Sequence, residues 1–74
     1  MTLVNNQSEY EAAVAAEDAE ITLGAVIDVL TVPTHACLIT MPSGTGLTGA
    51  IVNSCSAGEA VLAYGGAAYP YPGP

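Results

Sequence analysis

The sequence contains no Lys and no Arg, and its seven Asp and Glu leave a formal net charge of -7. A chain without cationic side chains cannot neutralise phosphates, which excludes electrostatic nucleic-acid binding. Docking to an anionic membrane through a basic patch is excluded for the same reason. Phe and Trp are absent as well, so the core must be aliphatic, built from Ala, Val, Leu and Ile. Long apolar runs are also missing. The most apolar stretch, residues 21–33, is interrupted by Asp28 and is shorter than the ~18 residues a membrane span needs. No positive n-region followed by an apolar run marks a signal peptide. Met1 reads as the start of a complete, unprocessed product made inside a cell.

What is present is a chain of 74 residues and 7.4 kDa, 51% hydrophobic and 9% charged. That length allows one domain. A chain this short buries only about 60% of its unfolded surface, so its core is marginal. Small scaffolds usually add a staple, a metal or partner subunits. The aliphatic content is too high for a disordered chain. Small apolar side chains leave surface uncovered, and oligomerisation or a docked partner resolves that.

Residues 1–7 read as an extended N-terminal arm or a first short strand. Ser8 to Glu11 (SEYE) reads as a capping box, with Ser8 as N-cap and Glu11 reaching back to it. The following AAVAA run has strong helix propensity, which predicts a helix at about 8–18. Its apolar face uses Tyr10, Ala13, Val14 and the stem of Glu17. Glu17, Asp18 and Glu20 crowd the negative pole of that helix. From Glu20 onward, ITL, AVIDVLTV, ACLITM, GAIVN and AVLAY are short β-branched runs separated by turn residues. They predict a small antiparallel β-sandwich or barrel within a domain at 8–64. Residues 65–74 (GGAAYPYPGP) read as an extended Pro/Tyr tail.

Gly44, Gly46 and Gly49 match G-x-G-x-x-G after a strand. A dinucleotide site also needs a helix at the third Gly and an acid ~20 residues on, and neither follows. The glycines are read as a turn between strands. His35, Cys37 and Cys55 are the soft-ligand residues, but no C-x-x-C pair supports a metal site. A Cys37–Cys55 disulfide would close a loop worth ~3 kcal/mol. The favoured reading over that disulfide is two free, buried thiols acting as small hydrophobes. His35 and Cys37 stand ~6.5 Å apart along a strand, beyond hydrogen-bond reach, so no nucleophile–base pair is formed. No catalytic residue, cofactor or metal is assigned.

The segment Leu30-Thr-Val-Pro33-Thr-His-Ala36-Cys-Leu38-Ile39 resembles a strand–turn–strand of small β-domains in tailed-bacteriophage decoration and fibre-attachment proteins. In those domains a second half follows with a small-residue turn, a place taken here by Ser54 to Leu62. The resemblance spans residues 30–62. The relatives carry an Arg-rich strand and an Asp-Gly turn in the middle; this chain has TGLTGAIVNS and neither feature. No binding residue therefore carries over. The resemblance implies a compact β-sandwich that multimerises on a capsid or fibre without catalysis.

Taken with the residues themselves, this gives an expected function: a non-enzymatic virion protein, either a capsid decoration (cement) protein or a small fibre subunit. It would be made in the host cytoplasm. A trimer is the expected state, because capsids offer threefold sites. Expected contacts are Leu3 and Val4 in the arm and Tyr64, Tyr69 and Tyr71 at the C-terminal end, since aromatic anchors dominate interfaces. Six of the seven acids fall within residues 9–28. Among them Glu9, Glu11, Glu17 and Asp18 are expected to meet a basic, otherwise apolar surface on a major capsid or other virion protein. The alternative is a small acidic binding or regulatory module that acts through the same carboxylates.

Overall fold

The short helix starts earlier than the capping box at Ser8 predicts. The computed structural model describes residues 2–54 and 60–66, and in it α1 spans Gln7–Ala15. Asn6 is the N-cap, its side chain accepting from the Glu9 amide at 2.9 Å. Glu9, at the third helical position, accepts from the Asn5 amide at 2.7 Å. A variant of the box is thus built two residues upstream, because Asn caps as well as Ser, with Glu9 reaching one residue past the cap. The shift releases Glu11 for a longer-range contact. The helix also stops short of residue 18, closing in a Schellman motif. The Asp18 amide donates to the Ala13 carbonyl at 3.1 Å and the Glu17 amide to Val14 at 3.0 Å. Glu17 sits in the left-handed region at φ 56°.

The strands are β1 (Thr2–Val4), β2 (Glu20–Leu23), β3 (Val26–Val29), β4 (Cys37–Met41), β5 (Gly46–Gly49), β6 (Asn53–Ser54) and β7 (Ala60–Tyr64). They form a four-stranded sheet in the order β1-β2-β4-β7 and a three-stranded sheet in the order β3-β5-β6. The protein is mainly β with one short helix among the described residues. Among the described residues the two sheets do not close into a barrel.

The expected all-antiparallel pairing is corrected by this topology. β1, β2 and β4 run parallel to one another, as do β3 and β5; among the described residues only β4–β7 and β5–β6 are antiparallel. The expected hairpin from Leu30-Thr-Val-Pro33 into Ala36–Met41 does not form either. β3 ends at Val29, and β4 belongs to the other sheet. The cause is a tertiary contact: the amides of Leu30 and Thr31, which would continue a ladder, donate instead to Glu11. The chain then crosses between sheets. As a result β2–β3 and β4–β5 lie as two successive turns of chain, with Ile21 beside Ile39 and Ile27 beside Leu47.

Both sheets contribute alternate residues to one core. Val4, Ile21, Leu23, Cys37, Ile39 and Met41 come from the larger sheet, and Ile27, Val29 and Leu47 from the smaller. The helix packs against β1 and β3 and adds Tyr10 and Ala13, as its apolar spacing predicts. Val14 packs from the rim. The turn after β4 is fixed at Pro42–Thr45, where the Thr45 amide and hydroxyl both donate to the Pro42 carbonyl. Gly44 supplies the positive φ of 85° that this turn needs. Thus the glycine triplet does form a turn at Gly44, but Gly46–Gly49 is itself a strand.

Candidate functional site

The expected contact residues do not form one patch. Leu3, on the edge strand β1, is 58% exposed, whereas Val4 beside it is wholly buried in the core. The residues expected as an N-terminal arm are therefore mostly the strand β1, and Val4 is a core residue rather than a partner contact. Tyr64 is half-buried and packs against the core. Tyr69 and Tyr71 lie outside the described residues, as do Cys55 and the remainder of the Pro/Tyr tail from residue 67.

The four carboxylates are spread along the helix. Glu9 lies in its first turn and Glu17 just beyond its last, roughly 12 Å apart at 1.5 Å per residue. Glu9 and Glu17 are exposed. Asp18 is half-buried, accepting from the Thr2 hydroxyl at 2.7 Å, and its backbone carbonyl accepts from His35 Nε2 at 2.7 Å. Glu11 is committed within the fold. Its Oε1 accepts from the amides of Leu30 at 2.9 Å and Thr31 at 3.0 Å, and its Oε2 from the Thr31 hydroxyl.

That clasp builds a feature the expected set did not include. Tyr10 Oη donates to the Thr31 carbonyl at 3.3 Å, so the amide, carbonyl and hydroxyl of Thr31 are all held by α1. On either side of this pinned residue, Leu30 is 73% exposed and Val32 43%. Pro33, which follows, is buried. A loop fixed through its backbone thus presents two apolar side chains to solvent. Pre-organised loops of this kind lose little conformational entropy on binding. The sequence signal was the β-branched run itself, which reads as strand until the fate of its amides is known.

Among the described residues, His35 and Cys37 do not form a nucleophile–base or metal-holding arrangement. Cys37 faces the core, and burial, with the nearby Asp18 carboxylate adding to it, pushes its thiol above the ordinary range. A reactive cysteine needs the opposite shift. His35 reaches the Asp18 carbonyl rather than a nucleophile. Among the described residues, no three His, Cys, Asp or Glu side chains are grouped to hold a metal ion, and no buried side-chain nitrogen or oxygen lacks a hydrogen-bond partner. An open depression of about 190 Å³ is lined by Thr2, Asp18, Ala19 and Glu20, and Asp18 there already bonds Thr2. No helix among these residues is long and apolar enough to cross a membrane.

No family model matches the chain, and neither a curated protein nor a solved structure matches it significantly.

Proposed function

We propose that this protein works through protein–protein contact as a non-enzymatic structural subunit. On this reading it is a small β-sandwich that oligomerises and docks on a protein lattice, as a capsid decoration protein or a small fibre subunit. It is made in the host cytoplasm and ends in the virion. The observation that carries the reading is the pinned loop with Leu30 and Val32 exposed. Solvated apolar side chains on a rigid loop suit insertion into an apolar cleft on a neighbour. The charge balance supports the same partner chemistry. With seven acids and no Lys or Arg, only another molecule can supply such cations, so the cleft has a basic rim. The resemblance of residues 30–62 to phage virion domains is one of sequence alone, because the strand–turn–strand expected from Leu30 to Ile39 does not form.

The acidic-module reading is weaker. It needs Glu9, Glu11, Glu17 and Asp18 as one free face, and three of these four carboxylates, Glu9, Glu11 and Asp18, are bonded within the fold. Co-sedimentation with purified capsid shells and tail fibres tests the proposal. The chain should pellet with one of these assemblies, and Leu30→Ser with Val32→Ser should abolish pelleting without lowering thermal stability. A chain that stays in the supernatant with every assembly, or a double variant that pellets like the parent, sinks the reading.

A further inference from the structure

Residues 2–15 form a unit joined to the rest of the chain by one short connection. β1 pairs with β2 and α1 packs against β3, so the unit lies on one strand of each sheet. It contributes Val4, Tyr10 and Ala13 to the core. Its polar ties also reach across the connection. The Val4 carbonyl accepts from the Gly24 amide at 2.8 Å, Glu11 accepts from the amides of Leu30 and Thr31, and the Thr2 hydroxyl donates to Asp18.

The body of the fold takes hold of the chain again at Asp18. The Asp18 carbonyl accepts from His35 Nε2, and the Ala19 carbonyl accepts from the Leu38 amide at 2.9 Å. Between unit and body stand Ala16 and Glu17, both exposed, with their amides bonded back to Ala12 and Val14. Here local preference opposes the fold. The AAVAA run favours a helix that continues to about residue 18, yet α1 stops at Ala15 and Glu17 is turned left-handed at φ 56°. That conformation is costly for any residue but glycine. Short joints under strain invite the exchange of an element between copies.

The place on β2 and β3 already has an occupant of known fit, and a second copy carries the same one. We propose that residues 2–15 exchange between two copies, each β1 pairing with β2 of the other copy and each α1 packing against its β3, in a closed twofold dimer. The contacts between unit and body are kept, and the Thr2–Asp18 bond is then made between copies. Only the joint changes. The amides of Glu17 and Asp18 give up Val14 and Ala13, and Glu17 leaves the left-handed region. The unit must lift off the core to exchange, so the change is slow and is favoured by folding at high concentration. A dimer replaces the expected trimer. This exchange rests on the oligomer part of the proposed function and not on the lattice part.

The full chain, refolded at high concentration and diluted, should show by sedimentation velocity and native mass spectrometry a dimer that reverts slowly. Glu17→Gly relaxes the closed joint in both copies and should weaken dimerisation at least about tenfold. Deleting Ala16 and Glu17 leaves a joint too short to turn back and should shift the chain to dimer. Leu3→Cys with Thr22→Cys, neighbours across β1 and β2, reports which chains pair. Made with Cys37→Ala and Cys55→Ala and oxidised as the dimer, this chain should run as a covalent dimer without reductant. A parent that stays monomeric at every concentration, or forms a trimer, overturns the proposal. So does a Glu17→Gly dimer as tight as the parent's, a deletion variant that folds as a monomer, or an oxidised dimer whose cross-links lie within each chain. If the deletion variant does not fold, the Glu17→Gly and cross-link readings decide. A monomer that still pellets with shells removes only this exchange, and an exchanged dimer that ignores every assembly removes only the docking role.

Discussion

Glu11 holds Thr31 from the far side of a sheet crossing. One carboxylate accepts from the amides of Leu30 and Thr31 and from the Thr31 hydroxyl. This contact fixes where β3 stops, aims the chain toward the other sheet and sets the exposed pair Leu30 and Val32 on a rigid base. Fold and candidate docking surface therefore depend on the same side chain.

Replacing Glu11 tests that coupling. Glu11→Ala leaves two amides without their protein acceptor, at an expected cost of about 1–2 kcal/mol, in the lower part of the usual range because water reaches the site. Glu11→Gln keeps the length but turns one acceptor into a donor, and should cost less than Ala. Urea unfolding reads the stability. Amide exchange at Leu30 and Thr31 should accelerate in both variants. Unchanged exchange there would show that the clasp does not hold the loop.

Glu17 occupies a position that favours glycine. Its φ of 56° is left-handed, and it stands at the negative end of α1 as the residue that closes the Schellman motif. The left-handed conformation costs an ordinary residue about 1–2 kcal/mol. Glu17→Gly should therefore stabilise the protein by about 1 kcal/mol after the added freedom of the unfolded chain is subtracted. Glu17→Ala removes only the charge and should gain about 0.3–0.5 kcal/mol. Thermal unfolding of the three chains should rank Gly above Ala above the parent. A Gly variant no more stable than the parent would contradict the strain.

The sequence carries its local chemistry more openly than its long-range pairing. The AAVAA run and a nearby cap were enough for the helix, and Tyr10, Ala13 and Val14 were visible by spacing. The cap itself moved because Asn6 and Ser8 are equivalent capping residues, and only the tertiary use of Glu11 decides between them. Strand-forming runs were visible in composition, but alternation says which face is buried and not which strand lies beside it. Parallel pairing of Ile21 with Ile39 is therefore not legible. Leu30-Thr-Val-Pro33 reads as strand because its side chains are β-branched or apolar, whereas its backbone is claimed by a carboxylate in α1. The surplus apolar surface was expected from composition, and its placement at Leu30 and Val32 follows from that same contact.

Gly49 and Gly44 share a positive φ, 80° and 85°, but not an environment. A Cβ at Gly49 would stand 2.1 Å from the Val29 carbonyl oxygen and 2.8 Å from Asp28 Oδ1, while one at Gly44 meets nothing within 4 Å. Gly44→Ala should cost about 1 kcal/mol for the backbone conformation alone. Gly49→Ala adds a clash with the β3 backbone that cannot be relieved by turning a side chain, and should cost several times as much. Chemical denaturation of the two single variants separates the terms, and equal losses would refute the close approach of β3 and β5 at this point.

Alkaline pH should unfold the protein through two buried groups. Burial pushes the Tyr10 hydroxyl well above its ordinary value, with Cys37, Glu11 and Tyr64 adding to the effect. Burial, then Asp18, raises the Cys37 thiol. The unfolded chain releases these protons near their ordinary values, roughly 8.5 for Cys and 10 for Tyr. Above those values the folded state binds more protons than the unfolded one, so stability falls as pH rises. Below both values these groups contribute no slope. Urea midpoints followed from pH 7 upward should hold level, then decline from about 8.5 and more steeply from about 10. Cys37→Ala should delay the onset to the tyrosine range, and Tyr10→Phe should remove the steeper limb while costing the bond to the Thr31 carbonyl at every pH. If both variants follow the parent's slope, the alkaline loss arises elsewhere in the chain.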